Sequence, residues 1–226
     1  MIETLKSLDD ALLLSVNGAN SAFFDTFFWL ISSKWVWVPF YLALAYALWR
    51  RIGLRHTLLA LAVIALLITF ADQITSHVLR PIFERPRPTN PDNPISAGVH
   101  LVNGYRGGRF GFPSCHAANT FALATFCALL FRRRVLSLLL LGWAALVCYS
   151  RMYLGVHYLG DLLAGTVVGM LSAFLFYFAF CAVSKRLEKG GVFLDETANF
   201  ERDGIVRFPA LTLLATLLAI AVFAAV

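Results

Sequence analysis

Residues 57–79, TLLALAVIALLITFADQITSHVL, form an apolar stretch that decides the fold class of this chain. At a rise of about 1.5 Å per residue, a helix of this length crosses the hydrocarbon core of a membrane, which is about 30 Å thick. Asp72 is the one acidic residue in the stretch, and a carboxylate at that depth needs a polar partner. The stretch therefore predicts a transmembrane helix.

Five further apolar runs surround this stretch, at residues 27–49, 114–131, 135–149, 161–183 and 208–226. Of the 226 residues, 59% are hydrophobic and 14% are charged, a composition that excludes an ordinary soluble domain. Backbone groups in lipid must be bonded within their own segment, and the runs lack the alternation of barrel strands, so each is expected to be a helix. We predict an all-α integral membrane protein, a bundle of about six transmembrane helices in a single domain, 1–226. Its motif-bearing core is 57–183, and 208–226 adds a C-terminal helix.

The N-terminal stretch, residues 8–28, mixes apolar residues with Asp9, Asp10, Asn17, Asn20 and Asp25. This mixture predicts an interfacial N-terminal helix or a broken segment, with an extra span as the alternative. No basic region followed by a compact apolar core comes after Met1, so the first span is expected to serve as the targeting element. Residues 184–207 are predicted to be a solvated connection without chemistry.

Basic residues in the short connections predict the orientation of the chain. They follow the first span (Arg50, Arg51, Arg55), the third (Arg132, Arg133, Arg134) and the fifth (Lys185, Arg186, Lys189). The positive-inside rule makes these three connections cytoplasmic, so 80–113 and 150–160 lie on the outer face together with the N-terminus. We expect a protein of a bacterial inner membrane whose site faces the periplasm or exterior.

The formal net charge of +6 comes from basic residues dispersed among the connections, without the concentrated patch of a nucleic-acid surface. Anionic lipid head groups are the expected partners. Cysteines at positions 115, 127, 148 and 181 show no metal-type spacing, and three of them lie inside apolar runs. We expect no disulfide, no metal and no cofactor, and the sequence leaves the oligomeric state open.

Three motifs lie at or beside the outer connections: Arg80 with Arg87-Pro88, Pro113-Ser114-Cys115-His116, and Ser150-Arg151 followed by His157 and Asp161. The arginines supply planar donors for phosphate oxygens. Ser114 can cap the helix that follows it, which leaves free N–H groups at Cys115 and His116 to face an anion. His157 and Asp161 are four residues apart, so one helical face can carry an imidazole and the carboxylate that fixes its tautomer.

Each motif alone has a simpler explanation. Ser114 can be an ordinary helix cap, the arginines can snorkel toward head groups, and Asp161 can merely favour a helix N-terminus. The joint occurrence of the motifs favours a membrane phosphatase.

The three motifs resemble, in order and spacing over residues 80–161, those of the type 2 phosphatidic acid phosphatase superfamily. That pattern is Lys, six residues, Arg-Pro; Pro-Ser-Gly-His; and Ser-Arg, five residues, His, three residues, Asp. The resemblance implies a helical membrane core, metal-independent hydrolysis and a phosphohistidine intermediate. It implies that His157 is the nucleophile, that Asp161 orients it and that His116 protonates the departing oxygen. The phosphate-binding residues that it implies are Arg80, Arg87, Ser114, Cys115 and Arg151.

The chain departs from the pattern twice, with Arg80 in place of Lys and Cys115 in place of Gly. Neither change removes a titrating catalytic group, so activity is expected to survive, although Arg80 can alter phosphate geometry and Cys115 can narrow the pocket. For the other polar residues the expectations are less specific. Asp72 is expected to pair with another polar group. Arg85, Arg106 and Arg109 are expected either to be solvated or to contact a second phosphate or a sugar.

The function predicted from these features is hydrolysis of a phosphate monoester or pyrophosphate on a membrane lipid. Undecaprenyl pyrophosphate and lipid A rank first as substrates, followed by phosphatidylglycerol phosphate and phosphatidic acid. The alternatives are vanadate-dependent haloperoxidase chemistry, which the many spans disfavour, and a non-catalytic lipid head-group binding or transport protein.

Overall fold

The computed structural model describes residues 2–187 and 203–226, and every regular element in these two ranges is helical. The α-helices are α1 (Ile2–Gly18), α2 (Ala22–Ser32), α3 (Val38–Gln73), α4 (Arg80–Phe83), α5 (Cys115–Phe131), α6 (Arg134–Tyr153), α7 (Leu159–Leu187) and α8 (Asp203–Ala224). The prediction of an all-α protein is confirmed. Most of the predicted connection 184–207, including Lys189, lies outside the described residues.

Four described helical segments are long and apolar enough to cross a membrane: Trp35–Phe83, Arg134–Tyr153, Leu159–Leu187 and Arg207–Ala224. The first of these contains α3, which Gly53 interrupts with a non-helical backbone (φ 75°, ψ 164°). The two halves of α3, 38–52 and 54–73, correspond to the first two predicted spans. The 17-residue apolar helix α5 corresponds to the third predicted span and is shorter than a typical transmembrane helix.

The first predicted span, 27–49, crosses a helix boundary, and that part of the prediction is wrong. α2 ends at Ser32, Ser33 is extended (φ −80°, ψ 127°), and a 3₁₀ turn, Trp35–Trp37, leads into α3. Pro39 lies in the first turn of α3, a position that proline favours because that N–H has no helical acceptor.

The N-terminal segment is broken between α1 and α2, which agrees with the predicted broken segment. Ser21 separates the two helices and caps α2, because its hydroxyl accepts a hydrogen bond of 3.3 Å from the Phe24 N–H. Leu5, Leu8 and Leu12 of α1 are exposed. The interfacial position of α1 stays a prediction.

Helices α5 and α7 pack with their backbones in direct contact. A Cβ atom at Gly165 would lie 2.4 Å from the Ser114 carbonyl oxygen, and one at Gly169 would lie 2.2 Å from the Ala118 carbonyl oxygen. Small residues four apart allow such close crossings in membrane helices. The crossing places the beginning of α5 beside the first turn of α7, where Asp161 lies.

The connections on either side of α5, α6 and α7 alternate between two ends of the bundle. Segment 84–114 precedes α5 and segment 154–158 joins α6 to α7, so both lie at one end. The arginines at 132–134 join α5 to α6, and Lys185 and Arg186 end α7, so these basic residues lie at the other end. The predicted motifs thus share one end of the bundle.

Candidate active site

The segment between α4 and α5 folds back on itself. The Arg87 N–H donates to the Arg109 carbonyl (3.1 Å), and the Gly111 N–H donates to the Arg85 carbonyl (2.9 Å). Pro86 and Phe110 form an isolated antiparallel bridge between these bonds. The fold-back brings Arg87 next to the stretch that leads into α5.

Arg87 joins this segment to the loop between α6 and α7. Its Nε donates to the Phe110 carbonyl (3.2 Å), and its Nη1 donates to the Val156 carbonyl (3.0 Å) and to His157 Nε2 (3.0 Å). Burial, together with the positive charges of Arg80 and Arg151, lowers the pKa of Arg87 to about 10. The guanidinium therefore stays charged at neutral pH.

The partners of His157 define its tautomer. Arginine can only donate, so Nε2 must carry the lone pair that accepts from Arg87. Nδ1 then carries the proton and faces Asp161 Oδ2 at 3.3 Å. Both side chains are buried, with 1% and 0% of their surfaces exposed. The ring thus presents an unprotonated nitrogen to the arginines and a proton to a carboxylate.

Electrostatics keep the His157 ring neutral. Burial lowers the pKa of His157 well below its ordinary value of 6.5, and the positive charges of Arg87, Arg151 and Arg80 lower it further. A backbone hydrogen bond with Gly111 acts in the opposite direction. Nε2 is therefore available as a nucleophile at neutral pH.

The beginning of α5 forms the second wall of the site. Ser114 is fully buried, its N–H donates to the Asp161 carbonyl (3.0 Å), and its hydroxyl accepts a long hydrogen bond of 3.4 Å from the Ala117 N–H. The N–H groups of Cys115 and His116 have no acceptor within the helix, because the first turn has no preceding carbonyls. This helix terminus can accept an anion.

Arg80 reaches the same helix terminus. Its Nη2 donates to the Pro113 carbonyl (3.1 Å) and to Cys115 Sγ (3.1 Å). Its Nε is buried and has no hydrogen-bond partner in the described part of the chain. Arg80 and Cys115, the two departures from the family pattern, thus contact each other.

Arg151 lines an open recess of about 410 Å³. It is 4% exposed, its Nη1 donates to the Ser32 hydroxyl, and its Nη2 donates to the Tyr105 hydroxyl at 3.3 Å. His116 borders the recess on another side and lies within electrostatic range of Arg151, His157, Arg87 and Arg80. The structure thus brings every residue of the predicted site together at one end of the bundle.

A second cavity, of about 530 Å³, lies between the helices below the recess. Its wall is mainly apolar, with Leu44, Leu48, Leu61, Ile64, Ile68 and Trp143 among the lining residues. Lys34 and His116 border both cavities, so the polar recess and this apolar chamber meet at His116. The arrangement suits a molecule with an anionic head and an apolar tail.

Sequence reasoning did not identify the role of Arg85. Its Nη1 donates to Asp161 Oδ1 (3.1 Å), and its Nη2 donates to Asp9 Oδ2 (2.8 Å). The sequence predicts either plain solvation of Arg85 or its contact with a second phosphate or a sugar, whereas the structure shows an ion pair with the site carboxylate. The available signal was the spacing: residues two apart in an extended segment share a face, so Arg85 and Arg87 reach the same cluster.

Each of the other polar residues singled out in the sequence, Arg106, Arg109 and Asp72, contacts a partner within the protein. Arg106 donates to the Thr89 carbonyl (2.8 Å), and the Arg109 guanidinium carbon lies 5.1 Å from the centre of the Phe110 ring. Asp72 accepts a hydrogen bond of 3.2 Å from Asn119, so the predicted pairing of this intramembrane acid is confirmed.

The PAP2 superfamily profile matches residues 58–185. A lipid A 4'-phosphatase of Bacteroides thetaiotaomicron is 44% identical over 215 residues, which cover 95% of this chain and 96% of that protein. A lipid A 4'-phosphatase of Porphyromonas gingivalis is 34% identical over 176 residues, covering 78% of this chain and 74% of that protein.

A solved structure shares the fold. The transmembrane PAP2 type phosphatidylglycerolphosphate phosphatase from Bacillus subtilis superposes with a TM-score of 0.58 at 22% identity, over 83% of this chain and 90% of that one. The PAP2 profile and the 44%-identical relative confirm the family resemblance inferred from the motifs.

Proposed function

This chain belongs to the PAP2 superfamily and is an integral membrane lipid phosphatase, and we propose that it hydrolyses a phosphate monoester of lipid A through a phosphohistidine intermediate. The observation that carries the mechanism is the His157 ring, whose lone-pair nitrogen lies 3.0 Å from Arg87 and whose opposite nitrogen faces Asp161. The two lipid A 4'-phosphatases that match most of the chain support the choice of substrate. Undecaprenyl pyrophosphate, ranked equally from the sequence, becomes the comparison substrate.

In the first step, His157 Nε2 attacks phosphorus and the bond between phosphorus and the lipid oxygen breaks. His116 gives its proton to that oxygen, so the lipid leaves as an alcohol. The attack puts positive charge on the His157 ring, and the carboxylate of Asp161, close to Nδ1–H, stabilises that charge. The products of this step are the dephosphorylated lipid and phosphohistidine.

In the second step, water attacks the phosphorus of the phosphohistidine. His116, now unprotonated, takes a proton from the water, the N–P bond breaks and inorganic phosphate leaves. His157 recovers its lone pair and His116 recovers its proton, so the enzyme returns to its starting state.

The phosphoryl oxygens are held by fixed donors. Arg80, Arg87 and Arg151 supply guanidinium groups, Ser114 its hydroxyl, and Cys115 its backbone N–H. All three guanidiniums already donate hydrogen bonds to the protein, which fixes their positions before substrate arrives. Donors that are preorganised around developing negative charge cost no rearrangement during the reaction.

The two cavities support a route for the lipid. The recess beside Arg151 receives the phosphate, and the apolar chamber below His116 receives an acyl chain. The basic residues at the far end of the bundle favour a cytoplasmic position for that end by the positive-inside rule. The site then faces the periplasm, in the inner membrane of a bacterial cell.

The test is phosphate release by detergent-purified protein with a chelator present. The panel contains lipid A, undecaprenyl pyrophosphate, phosphatidylglycerol phosphate and phosphatidic acid, and His157→Ala is the control. We expect chelator-resistant release that is fastest with lipid A and absent in His157→Ala. Retention of lipid A binding without release by the wild-type protein would instead support the binding or transport alternative.

A further inference from the structure

The site carboxylate is tied to the N-terminal helix by a bridging arginine. Arg85 contacts Asp161 Oδ1 at 3.1 Å and Asp9 Oδ2 at 2.8 Å. The side chains of Asp9, Arg85 and Asp161 are 15%, 24% and 0% exposed, so the bridge runs from the edge of the protein into its interior. Partial burial weakens solvent screening and strengthens such pairs.

Arg85 determines how Asp161 is oriented. One carboxylate oxygen, Oδ1, accepts from Arg85, which leaves Oδ2 for the His157 ring and for the Tyr158 N–H at 3.1 Å. The Arg85 guanidinium itself lies 4.0 Å from the centre of the Tyr158 ring, a cation–π contact. A rotation of Arg85 would release Oδ1 and free the carboxylate to turn.

Asp9 contacts both Arg85 and the beginning of α7. Its Oδ1 accepts from the Gly160 N–H (3.1 Å) at the beginning of α7, and its Oδ2 holds Arg85. Asp9 therefore fixes both the arginine and the helix that carries Asp161. It also lies outside residues 58–185, the part of the chain that the PAP2 profile matches.

The negative charge of Asp9 also offsets part of the positive charge of Arg85. With Asp9 ionised, one arginine is shared between two carboxylates. Without the Asp9 charge, the positive charge of Arg85 offsets that of Asp161 alone. The Asp161 carboxylate then stabilises the imidazolium that forms at His157 less well.

We propose that Asp9 is a positioning residue for the phosphatase reaction, acting through Arg85 to orient Asp161 toward His157. The inference rests on the proposed role of His157 as the nucleophile. A positioning residue affects the chemical step and leaves substrate binding intact, because no part of Asp9 borders the recess or the chamber.

The variant that tests this role is Asp9→Asn, which keeps the size and one acceptor oxygen but removes the charge. We expect kcat to fall about tenfold, KM to stay within about twofold, and Asp9→Glu to recover part of kcat. Glu3→Gln is the matched control, since Glu3 is an exposed acid of the same helix. Melting temperatures of all variants are measured in the same detergent.

The outcomes separate this inference from the proposed function. Unchanged kcat in Asp9→Asn would overturn the inference while leaving the phosphatase intact. If Asp9→Asn lowers kcat and melting temperature together, and excess lipid restores both, the role of Asp9 is merely structural and the inference is also overturned. Inactive wild-type protein with every lipid would overturn the proposed function itself.

A separate observation concerns the apolar chamber, whose wall contains a carboxylate. Asp72 on α3 accepts from Asn119 on α5, and Asn119 is one helical turn from His116. In the described ranges, Asp72 Oδ2 and Asn119 Oδ1 receive no hydrogen bond, and the latter is buried. Asn119 Oδ1 is thus a buried acceptor without a partner, one helical turn from His116.

An intramembrane carboxylate that faces a cavity is costly unless it meets a donor. The geometry points to a subsite in which Asp72 and Asn119 accept hydrogen bonds from hydroxyl or amide N–H groups of the lipid beside the scissile bond. Phosphorylated sugar lipids with N-acyl groups carry such donors. The leaving group of a prenyl diphosphate is a phosphate ester without them. This inference also rests on the proposed function, because it names the substrate class of the same site.

The test is the ratio of kcat/KM for lipid A to kcat/KM for undecaprenyl pyrophosphate. Asp72→Ala is expected to lower this ratio by about tenfold or more, because one hydrogen bond to a charged group is lost. Thr69→Val, a change at an exposed polar residue of the same helix, is expected to leave the ratio unchanged. An unchanged ratio in folded, active Asp72→Ala would overturn the subsite, whereas failure of wild-type protein on both lipids would overturn the proposed function.

Discussion

The imidazole of His157 lies between a donor and a carboxylate, and this single contact pair decides what the residue can do. Arg87 forces Nε2 to be an acceptor, and Asp161 receives the proton side of the ring. The motif spacing predicted the pairing with Asp161, because residues four apart share a helical face. It could not predict the contact with Arg87, 70 residues away, because that contact depends on the fold-back of the intervening loop.

The pH behaviour of His157 follows from these neighbours. Its lowered pKa means that the ring stays neutral down to below pH 6.5 and is protonated only under more acidic conditions. Removing the nearest positive charge, in Arg87→Gln, is expected to raise the pKa of His157 toward 6.5. NMR titration of ¹⁵N-histidine-labelled protein measures both values and also reports the Nδ1–H tautomer. A wild-type His157 that titrates above 6.5 would contradict the burial argument.

Gly111 supports the same pair by having no side chain. A Cβ atom there would lie 2.9 Å from Asp161 Oδ2 and 3.5 Å from His157 Nδ1. Gly111→Ala is expected to displace the carboxylate and lower kcat by up to about 100-fold, since misplacements of about 1 Å can cost that much. Gly108→Ala in the same loop is the control, because its Cβ atom would meet nothing within 4 Å. Equal rates for the two variants in a phosphate-release assay would show that Asp161 adjusts freely.

At the level of helices, the close crossing of α5 and α7 holds the two halves of the site together. Gly165→Ala would place a methyl group 2.4 Å from the Ser114 carbonyl oxygen, so the helices must separate. Overpacking of this kind costs about 1–3 kcal/mol, which for a chain of this size lowers Tm by about 2–4 °C per kcal/mol. A thermal-shift measurement in detergent checks this, and Gly142→Ala, with open space at its Cβ, should not lower Tm.

Polar residues of α1 and α2 hold the segments around the site in place through hydrogen bonds. The buried Asn17 amide donates to the His100 carbonyl (3.0 Å) and the Tyr153 carbonyl (2.7 Å), and its oxygen accepts from the His100 N–H (2.7 Å). Asp25 accepts from the Tyr153 hydroxyl at 2.6 Å. The sequence showed these residues only as polar interruptions of an apolar segment, because their partners are distant in the chain.

Replacement of Asn17 by Ala tests whether these hydrogen bonds hold the loop around His100 in place. Each buried polar group left without a partner costs about 1–3 kcal/mol, so the loop around His100 should open more often. Hydrogen–deuterium exchange of the His100 amide is expected to accelerate at least tenfold, whereas Asn20→Ala, at an exposed residue with local bonds only, should leave it unchanged. Equal protection in both variants would show that α1 does not hold the loop.

Across the whole molecule, the distribution of charge and apolar residues was sufficient to predict a helical membrane bundle. The boundaries of its first helices were less predictable: Gly53 divides one long helix, and Ser33, Lys34 and the 3₁₀ turn Trp35–Trp37 separate α2 from α3. Apolar content determines which segments enter lipid, but breaks depend on one or two residues whose backbone conformation composition does not reveal.

Orientation can be tested on intact cells. Gly108 lies in the exposed loop of the site, and Arg133 lies in the basic connection at the opposite end of the bundle. We expect a membrane-impermeant maleimide to label Gly108→Cys from outside, and to label Arg133→Cys only after permeabilisation. The inverse pattern would place the site in the cytoplasm, and the wild-type protein serves as the control for its own cysteines.

The contact between Asp9 and Gly160 also has a consequence for how the protein is made. These residues are 151 positions apart, which at about 5–20 residues per second means that roughly 8–30 s of translation separate them. Arg85 is translated about halfway through that interval, so during its second half the nascent chain carries Asp9 and Arg85 but not the Asp161 carboxylate that they hold. If His157 is the nucleophile, as proposed, the nascent chain has no carboxylate beside it until Asp161 has been synthesised, so phosphatase activity is expected to begin only after that point.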